Sequence, residues 1–456
     1  MSQYATVNPA TGETVQSFPT TTDEQVADVL VRSDAAYRSW RRAPLADRAA
    51  VLQKVANLYR ERVEELAALT TLEMGKPLAE ARGEVGLAAA IYEYYATKGP
   101  AHLGDEELEI AGTGTAVVRT EPLGALIGIM PWNFPWYQVA RFAGPNLLLG
   151  NSIVLKHAPN CPQQALAMEQ LFRDAGLPAD VYVNVFATNE QVADMIASPL
   201  VHGVSLTGSE RAGAAVGEVA GRHLKKYVLE LGGSDPFLVL ADADVESAVG
   251  AAVAGRMFNG GQACTSSKRF IVHTDLYEDF VAGLSAGVGS WTMGDPTDAG
   301  SKMGPLSSAQ ARDDLAAQVR DAVERGATVR TGGVPERTAG AWFPGTVLTD
   351  VTPDMRAYRE ELFGPVAVVH RVGSTEEAVA LANDSAYGLG ASVFTTDDDT
   401  AQRVAEELET GMVWINSTSK SAPDLPFGGV KRSGVGRELG RFGLEEFCNK
   451  KLVRRV

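Results

Sequence analysis

Short apolar runs alternate with longer stretches at helical spacing, most clearly between residues 115 and 231. Such runs are typical of strands buried on both faces, and their alternation with helices indicates β-α-β units and a parallel sheet. The pattern predicts strands at 115–120, 123–130, 152–156, 181–186, 203–207 and 227–231, and helices at 139–149, 163–175, 190–197 and 209–221.

A second series begins near residue 239, after the glycine pair at 232–233. It predicts strands at 270–273, 363–372, 392–395 and 412–416, and helices at 245–258, 275–288, 309–325, 376–383 and 400–408. The sequence therefore predicts an α/β fold with two such units. Ligands of these sheets bind beyond the carboxyl ends of the strands.

The first hundred residues are extended at first and then helical. Residues 1–20 are interpreted as an extended arm, and residues 21–24 match a capping box before a helix that ends near Arg42. Helical spacing predicts further helices at 45–72 and 78–96. These helices carry no cluster of catalytic side chains, so we interpret them as packing elements.

Composition narrows the function classes. The 456 residues suffice for two or three domains, and the net charge of −16 argues against a nucleic-acid partner held mainly by charge. The longest apolar run, 123–130, is too short to span a membrane, and the N-terminus lacks the apolar segment of a signal peptide. We expect a soluble, cytoplasmic protein. The tail 445–453 has the pattern of an edge strand, which favours oligomerisation.

Cys264 is the one cysteine among residues that suit chemistry, since Cys161 and Cys448 lie apart from any motif. It follows two glycines and two amide side chains, and Glu230 precedes another glycine pair upstream. A thiol becomes a good nucleophile when its thiolate is stabilised or a base takes its proton. Free cysteines are also common packing residues, so this stretch alone leaves both roles open. No spacing of cysteines and histidines predicts a metal site.

Other stretches suit a site but also have structural interpretations. The sequence PWNFP at 131–135 holds the Asn133 amide between two prolines, as a simple turn also would. Lys156, at a strand end, suits a phosphate or ribose contact as well as solvent. Residues 208–213 have the glycine spacing of a P-loop without its lysine, so phosphoryl transfer is not indicated. A helix that starts near Ser209 can still hold a pyrophosphate.

Taken in order and spacing, these stretches resemble the aldehyde dehydrogenase family over nearly the whole chain. The matches are PWNFP at 131–135, Lys156, TGS at 207–209, ELGG at 230–233, GQxC at 261–264, EExFGP at 360–365 and PFGGVKxSG at 426–434. Within the family the chain is most similar to the compact bacterial succinate-semialdehyde dehydrogenases.

The resemblance implies two doubly wound α/β domains and a small β oligomerisation arm. The cofactor-binding domain would comprise 1–103 and 123–231, and the catalytic domain 232–430. The arm and the C-terminal tail would comprise 104–122 and 431–456. The family also implies a homodimer or a homotetramer.

The resemblance further implies oxidation of an aldehyde to an acid through a thiohemiacetal and a thioester on Cys264. The Asn133 amide and the backbone N–H of Cys264 would hold the oxyanion. Glu230 would act as the general base for the water that releases the acid. NADP or NAD would be the cofactor, and the residues that match its contacts are Trp132, Lys156, Gly208, Ser209, Leu231, Glu361 and Phe363.

Pro159 stands where relatives that prefer NAD often carry a glutamate, so we expect NADP to be accepted. For the substrate, Arg141 and Ser421 match the pair that holds a distal carboxylate in semialdehyde enzymes. Phe258 stands where some of those enzymes have a further arginine, for which Lys420 compensates in this interpretation. The expected substrate is succinate semialdehyde, with glutarate semialdehyde and other short aldehydes as alternatives.

Two further matches differ from the family pattern. Glu438 matches a proton-relay glutamate, but Phe142 replaces the usual relay lysine. Ser266 replaces a second cysteine, which predicts no redox switch. Three other functions stay open at this stage: a catalytically silent binding or structural protein, an acylating dehydrogenase that uses coenzyme A, and a cysteine hydrolase without a cofactor.

Overall fold

The computed structural model describes residues 4–335 and 339–456, so residues 1–3 of the predicted arm lie outside the described part of the chain. Its α-helices are α1 (Asp23–Trp40), α2 (Leu45–Glu61), α3 (Val63–Met74), α4 (Leu78–Thr97), α5 (Pro135–Leu149), α6 (Pro162–Asp174), α7 (Asn189–Ala197), α8 (Glu210–Arg222), α9 (Val245–Met257), α10 (Tyr277–Gly289), α11 (Ala309–Glu324), α12 (Arg356–Arg359), α13 (Thr375–Asn383), α14 (Asp398–Glu407) and α15 (Phe442–Glu446). Its strands are β1 (Tyr4–Val7), β2 (Thr14–Phe18), β3 (Glu106–Glu107), β4 (Thr115–Pro122), β5 (Ala125–Met130), β6 (Ser152–His157), β7 (Tyr182–Asn184), β8 (Val201–Thr207), β9 (Lys226–Glu230), β10 (Pro236–Val239), β11 (Arg269–His273), β12 (Thr328–Thr331), β13 (Thr346–Thr349), β14 (Val366–Val372), β15 (Tyr387–Gly388), β16 (Gly390–Phe394), β17 (Met412–Ile415), β18 (Val430–Lys431), β19 (Gly434–Val435) and β20 (Cys448–Arg455).

Five strands of the first predicted series, β5 to β9, form a six-stranded sheet with β19 in the order β19-β9-β8-β5-β6-β7. The strand predicted at 115–120 is β4, which lies outside this sheet and pairs antiparallel with β3 and β20. Strands β5 to β9 are parallel, and β19 pairs antiparallel with β9. Helices α1, α7 and α8 pack on one face, and α2, α4, α5 and α6 on the other, which explains the continuous apolar runs. The predicted parallel sheet is confirmed. Its strands end at the matched motifs, with Glu230 at the end of β9.

The second series forms a seven-stranded sheet in the order β12-β13-β14-β11-β10-β16-β17, parallel except for β12. The sequence pattern did not indicate β12 and β13, since both have only four residues and β12 is largely exposed. The strand predicted from residue 363 starts at Val366 instead. Pro365 has no N–H for a ladder, and Phe363 lies in the preceding loop.

The helices near the N-terminus differ in detail from the prediction. The single helix expected at 45–72 is divided at Arg62, whose φ of −105° and ψ of 19° are not helical. The capping box of α1 uses Thr22 and Gln25, one position later than predicted. Gly75 ends α3 at a φ of 79°, and a Cβ there would lie 2.8 Å from Pro305 Cγ. The turn after α3 is therefore fitted closely against the loop before α11.

A separate three-stranded sheet has the order β20-β4-β3. The predicted tail strand is confirmed as β20, which pairs antiparallel with β4 along its whole length and forms one edge of the sheet. Seven of its eight residues are exposed. Within the described ranges, none of the helices is both long enough and apolar enough to cross a bilayer.

Candidate active site

The loop that carries Cys264 borders a cavity of about 620 Å³ between α4, α5, α9 and the segment 418–421. Of the 21 lining residues, ten have polar or charged side chains and the others are mainly apolar. They are Ala79, Glu80, Gly83, Glu84, Leu87, Phe134, Tyr137, Gln138, Ala254, Gly255, Phe258, Ala263, Cys264, Thr265, Ser266, Ser267, Thr418, Ser419, Lys420, Ser421 and Phe427.

The chain segment that precedes Cys264 contains residues with left-handed backbone conformation. Asn259 and Gly260 have φ values of 54° and 58°, so the chain turns sharply after α9. The fully buried guanidinium of Arg256 donates to the carbonyls of Gly261 at 2.8 Å and Ser267 at 3.0 Å. Because this side chain bonds the backbone on both sides of Cys264, the loop has a fixed shape.

Lys268 fixes the cysteine itself. Its Nζ donates to the carbonyl of Cys264 at 2.9 Å and to that of Ala263 at 3.1 Å. Burial raises the pKa of the Cys264 thiol to about 12, and the positive charges of Arg141 and Lys268 only partly oppose this. The thiol is therefore protonated at rest, and its attack on a substrate requires loss of that proton.

Asn133 follows β5 and is buried next to the cysteine loop. Its side-chain nitrogen donates to the carbonyl of Gln262 at 3.1 Å. An amide nitrogen carries two hydrogens, so one such bond leaves a second donor. The backbone carbonyl of Asn133 accepts from Lys76 Nζ at 2.9 Å and from Asn259 Nδ2 at 3.0 Å. The structure thus brings Asn133 and the loop of Cys264 together, as the motif match predicted.

Glu230 ends β9 and is only 2% exposed. Neither of its carboxyl oxygens has a hydrogen-bond partner among the residues that the structure describes. Burial raises the pKa of Glu230 well above its ordinary value, with Arg141 opposing and Glu438 adding to the shift. A Cβ on Gly428 would lie 2.8 Å from both Glu230 Oε1 and the backbone oxygen of Gly436, so a glycine at this position lets the chain pass close to the carboxyl. This group is suited to take a proton rather than to form a stable ion pair.

Arg141 lies elsewhere than the direct substrate contact that was predicted. It is fully buried, forms an ion pair with Glu438 and is absent from the cavity lining. Its guanidinium also donates to the hydroxyls of Tyr137 at 3.4 Å and Thr207 at 3.2 Å. The guanidinium carbon lies 4.3 Å from the ring centre of Phe427. In this geometry the Arg141 guanidinium faces Glu438, its counter-ion, and the hydroxyls of Tyr137 and Thr207.

Tyr137 connects this buried pair to the cavity. Its hydroxyl donates to Ser421 Oγ at 2.9 Å, and both Ser421 and Lys420 line the cavity. Phe258 packs against Phe134, with ring centres 5.7 Å apart. The predicted residues Ser421, Lys420 and Phe258 are thus brought together, and Tyr137 is a neighbour that the motif comparison did not indicate.

A second group of predicted residues lies along the carboxyl ends of the first sheet. The rings of Trp132 and Phe363 are 5.6 Å apart in an edge-to-face arrangement. Glu361 accepts from the Gly233 N–H at 3.0 Å, and its Oε1 lies 3.2 Å from Lys268 Nζ. Lys268 therefore contacts both the backbone carbonyl of Cys264 and the carboxylate of Glu361, the residue predicted to bind the nicotinamide ribose.

The remaining predicted cofactor residues surround the start of α8. Ser209 caps α8 by accepting from the Ala212 N–H, and the Gly208 N–H donates to the carbonyl of Glu230 at 2.9 Å. Leu231 packs so closely on α8 that a Cβ on Gly213 would lie 2.5 Å from its Cδ2. The start of a helix with small residues is suited to a pyrophosphate.

Lys156 is suited to a further anionic group. It is 7% exposed, burial lowers its pKa to about 8, and it forms no ion pair with any described carboxylate. Its Nζ lies 5.8 Å from the ring centre of Tyr4. The nearby carbonyl of Pro159 accepts from the Ala5 N–H at 3.0 Å, so strand β1 lies against this part of the site. A buried lysine without an anionic partner fits the phosphates of a dinucleotide.

No group of three or more acidic, cysteine or histidine residues suited to a metal ion occurs in the described ranges.

Fold and site together define an oxidoreductase of the dinucleotide-dependent, cysteine-based type. The chain belongs to the aldehyde dehydrogenase family, whose model matches residues 1–453.

Three relatives make the comparison more specific. The chain is 57% identical over 451 residues to succinate-semialdehyde dehydrogenase [NADP(+)] of Deinococcus radiodurans, covering 99% of this chain and 94% of the relative. It is 46% identical to succinate semialdehyde dehydrogenase [NAD(P)+] of Escherichia coli, covering 98% and 96%. A crystal structure of succinic semialdehyde dehydrogenase from Streptococcus pyogenes with NADP+ superposes with a TM-score of 0.97 at 42% identity, covering 99% of each chain.

Proposed function

We propose that this protein oxidises succinate semialdehyde to succinate with NADP as its preferred cofactor and NAD as an alternative. The observation that carries the proposal is the single cavity wall that presents both Cys264 and the polar pair Lys420 and Ser421. The relatives named above support the same substrate and cofactors. Glutarate semialdehyde and other short aliphatic aldehydes are the alternative substrates.

The first step is attack of Cys264 Sγ on the aldehyde carbonyl, in which the thiol proton passes to solvent water, the C–S bond forms and the carbonyl oxygen becomes the oxyanion of a thiohemiacetal. The free N–H of the Asn133 side chain and the backbone N–H of Cys264 hold the developing oxyanion. Donors fixed by the surrounding loop need no reorganisation, and loss of one such donor typically reduces the rate about 10²–10³-fold. The bonds from Arg256 and Lys268 maintain the fixed loop.

A nicotinamide cofactor held by Trp132, Glu361 and Phe363 would supply the hydride acceptor, and loss of a hydride from the substrate carbon would leave a thioester on Cys264. Glu230 then takes a proton from a water molecule that attacks the thioester carbonyl. The acid leaves, and Cys264 returns to its thiol form. Burial raises the pKa of Glu230, so its carboxylate is a stronger base than that of an exposed glutamate, which suits the general-base role.

Trp132, Glu361 and Phe363 would border the nicotinamide and its ribose, and the start of α8 with Gly208, Ser209 and Leu231 would border the pyrophosphate. Lys156 would hold the 2′-phosphate of NADP. Pro159 offers no carboxylate to repel that phosphate, as a glutamate would. The preference for NADP therefore follows from the buried positive charge of Lys156 and from the uncharged Pro159 at the position where a glutamate would repel the phosphate.

The substrate carboxylate would be held by Lys420 and Ser421 from the cavity wall. Arg141 would act indirectly, because its guanidinium contacts the Tyr137 hydroxyl that donates to Ser421. A proton-relay role for Glu438 is not part of the proposal, since its carboxylate pairs with Arg141.

The proposal also includes the division into domains, the oligomeric state and the location of the protein in the cell. Residues 1–103 and 123–231 would form the cofactor-binding domain, and 232–430 the catalytic domain. The segments 104–122 and 431–456 would form the oligomerisation arm and tail, with the exposed strand β20 as a contact between copies of a homodimer or homotetramer. The protein would act in the cytoplasm.

Steady-state kinetics on an aldehyde panel with each cofactor test the proposal. We expect the highest kcat/KM for succinate semialdehyde with NADP, lower values for glutarate semialdehyde and butanal, and no dependence on coenzyme A. Cys264→Ser should abolish turnover. Equal kcat/KM for succinate semialdehyde and butanal would contradict the substrate assignment, and coenzyme A dependence would contradict hydrolysis.

A further inference from the structure

Helices α3 and α4, which the sequence pattern presents as packing elements, reach the loop of Asn133 through the turn between them. Lys76 in that turn forms an ion pair with Glu84 on α4, and the two side chains are 0% and 1% exposed. The same Nζ donates to the backbone carbonyl of Asn133 at 2.9 Å. It also lies 3.9 Å from the ring centre of Phe134. One buried cation thus contacts two successive residues of the loop.

Glu84 holds the next part of the same loop. Its Oε1 accepts from the backbone N–H groups of Trp136 at 2.9 Å and Tyr137 at 3.3 Å, while Oε2 faces Lys76. These are N–H groups of the first turn of α5, and the residue that precedes this helix provides no side-chain cap. The carboxylate of another helix therefore caps α5 immediately after Asn133.

The other side of Asn133 contacts the cysteine loop. Asn259 Nδ2 donates to the carbonyls of Asn133 at 3.0 Å and Gln262 at 3.1 Å. Asn133 Nδ2 donates to that same carbonyl of Gln262, two residues before Cys264. The backbone of Asn133 is thus held between Lys76 and Asn259, which sets the direction in which its amide points.

A buried ion pair is weak evidence for stability, because desolvation offsets much of the attraction between the charges. Here every polar atom of the pair is directed at the loop of Asn133 or at its partner. We infer that Lys76 and Glu84 are positioning residues, which hold the Asn133 amide at the distance from Cys264 that oxyanion binding requires. The inference rests on the role of Asn133 in the proposed function. Displacement of such a donor by about 1 Å can reduce a rate on the order of 100-fold.

The test is the double variant Lys76→Met/Glu84→Gln, which removes both charges at similar side-chain size and keeps an amide oxygen for the α5 N–H groups. We expect the rate of the pre-steady-state burst of NADPH to fall about 10–100-fold, with the Kd for NADP and the thermal midpoint little changed. A matched control is Arg82→Met/Glu64→Gln, which removes an exposed 2.8 Å ion pair between the same two helices and should leave the burst unchanged.

Repeating the double variant in an Asn133→Ala background separates positioning from general damage. If the pair acts through Asn133, its removal should reduce the burst rate less than twofold in that background. An equal loss in both backgrounds would overturn the inference, as would an unchanged burst in the wild-type background. If Asn133→Ala alone left the burst unchanged, the oxyanion role in the proposed function would fail instead. Should the double variant unfold, Lys76→Gln/Glu84→Gln, which likewise leaves no unpaired buried charge, takes its place in the same cycle.

Discussion

The guanidinium of Arg141 and the carboxylate of Glu438 form an ion pair that is almost closed to solvent, with side-chain exposures of 0% and 5%. The pair lies behind Tyr137, whose hydroxyl contacts both Arg141 and Ser421. The Tyr137 hydroxyl thus lies between Arg141 and Ser421, the two residues that match the carboxylate contacts of semialdehyde enzymes.

Removal of one partner of this pair should strongly destabilise the fold. Arg141→Met leaves the Glu438 carboxylate buried without a counter-ion, which costs about 3–5 kcal/mol, whereas Arg141→Met/Glu438→Gln should recover most of that loss. Thermal unfolding of both variants measures this. A single variant as stable as the double variant would show that the charge of Glu438 needs no partner.

Loss of the cavity's polar pair should weaken binding of carboxylate substrates alone. For Lys420→Met/Ser421→Ala we expect KM for succinate semialdehyde to rise about 10-fold or more, because charge-assisted hydrogen bonds to the carboxylate are lost. KM for butanal, which has no carboxylate, should stay the same and serves as the control. Parallel increases for both aldehydes would indicate a change in cavity shape instead.

Glu80 should make substrate affinity dependent on pH. It lines the cavity, and burial raises its pKa to about 7, with the positive charge of Lys76 opposing the shift. As pH rises through 7 the Glu80 carboxyl becomes negative and repels a carboxylate substrate, so KM for succinate semialdehyde should increase. Glu80→Gln should flatten this profile, and butanal should show no such rise. A profile that Glu80→Gln leaves intact would assign the titration to another group.

Glu230→Gln should separate acylation from release of the acid. The burst of NADPH should persist, while steady-state turnover falls about 10²–10⁴-fold because no base activates water. Mass spectrometry should then detect a succinyl thioester on Cys264. Absence of both burst and thioester would move Glu230 to the first half of the reaction.

Cofactor choice should depend on the charges near the predicted 2′-phosphate. Lys156→Met should lower kcat/KM with NADP more than with NAD, and Pro159→Glu should reverse the preference by adding a negative charge. The ratio of kcat/KM for the two cofactors measures both effects. A Pro159→Glu variant that gained activity with NADP would contradict the assignment.

The sequence predicts the parallel first sheet well because its strands are continuous apolar runs. Such runs can be recognised from the local sequence without knowledge of tertiary contacts. The prediction fails for β12, an exposed edge strand, and for β13, because each has only four residues and so gives little periodicity. The family resemblance, rather than periodicity, predicts one site for Asn133, Glu230 and Cys264, and the structure brings Asn133 into contact with the loop of Cys264.

The relations that the sequence did not reveal are contacts between distant side chains. Arg141 stands at the expected position, but its role depends on Glu438, near the other end of the chain. Lys76 and Glu84 resemble ordinary helix-surface charges until the turn at Gly75 brings them beneath Asn133. Charge pairing and burial of this kind arise from tertiary packing, which periodicity does not encode.

Strand β19 has a consequence for the time at which the sheet edge at the proposed base is completed during synthesis. Gly434 and Val435 pair with Glu230 and Leu229, so the strand that carries the proposed base obtains its outer neighbour from a segment translated some two hundred residues later. A nascent chain that has made Cys264, Asn133 and Glu230 still has an unfinished sheet edge at the base. The sheet edge at the proposed base can therefore be completed only after Gly434 and Val435 have been translated.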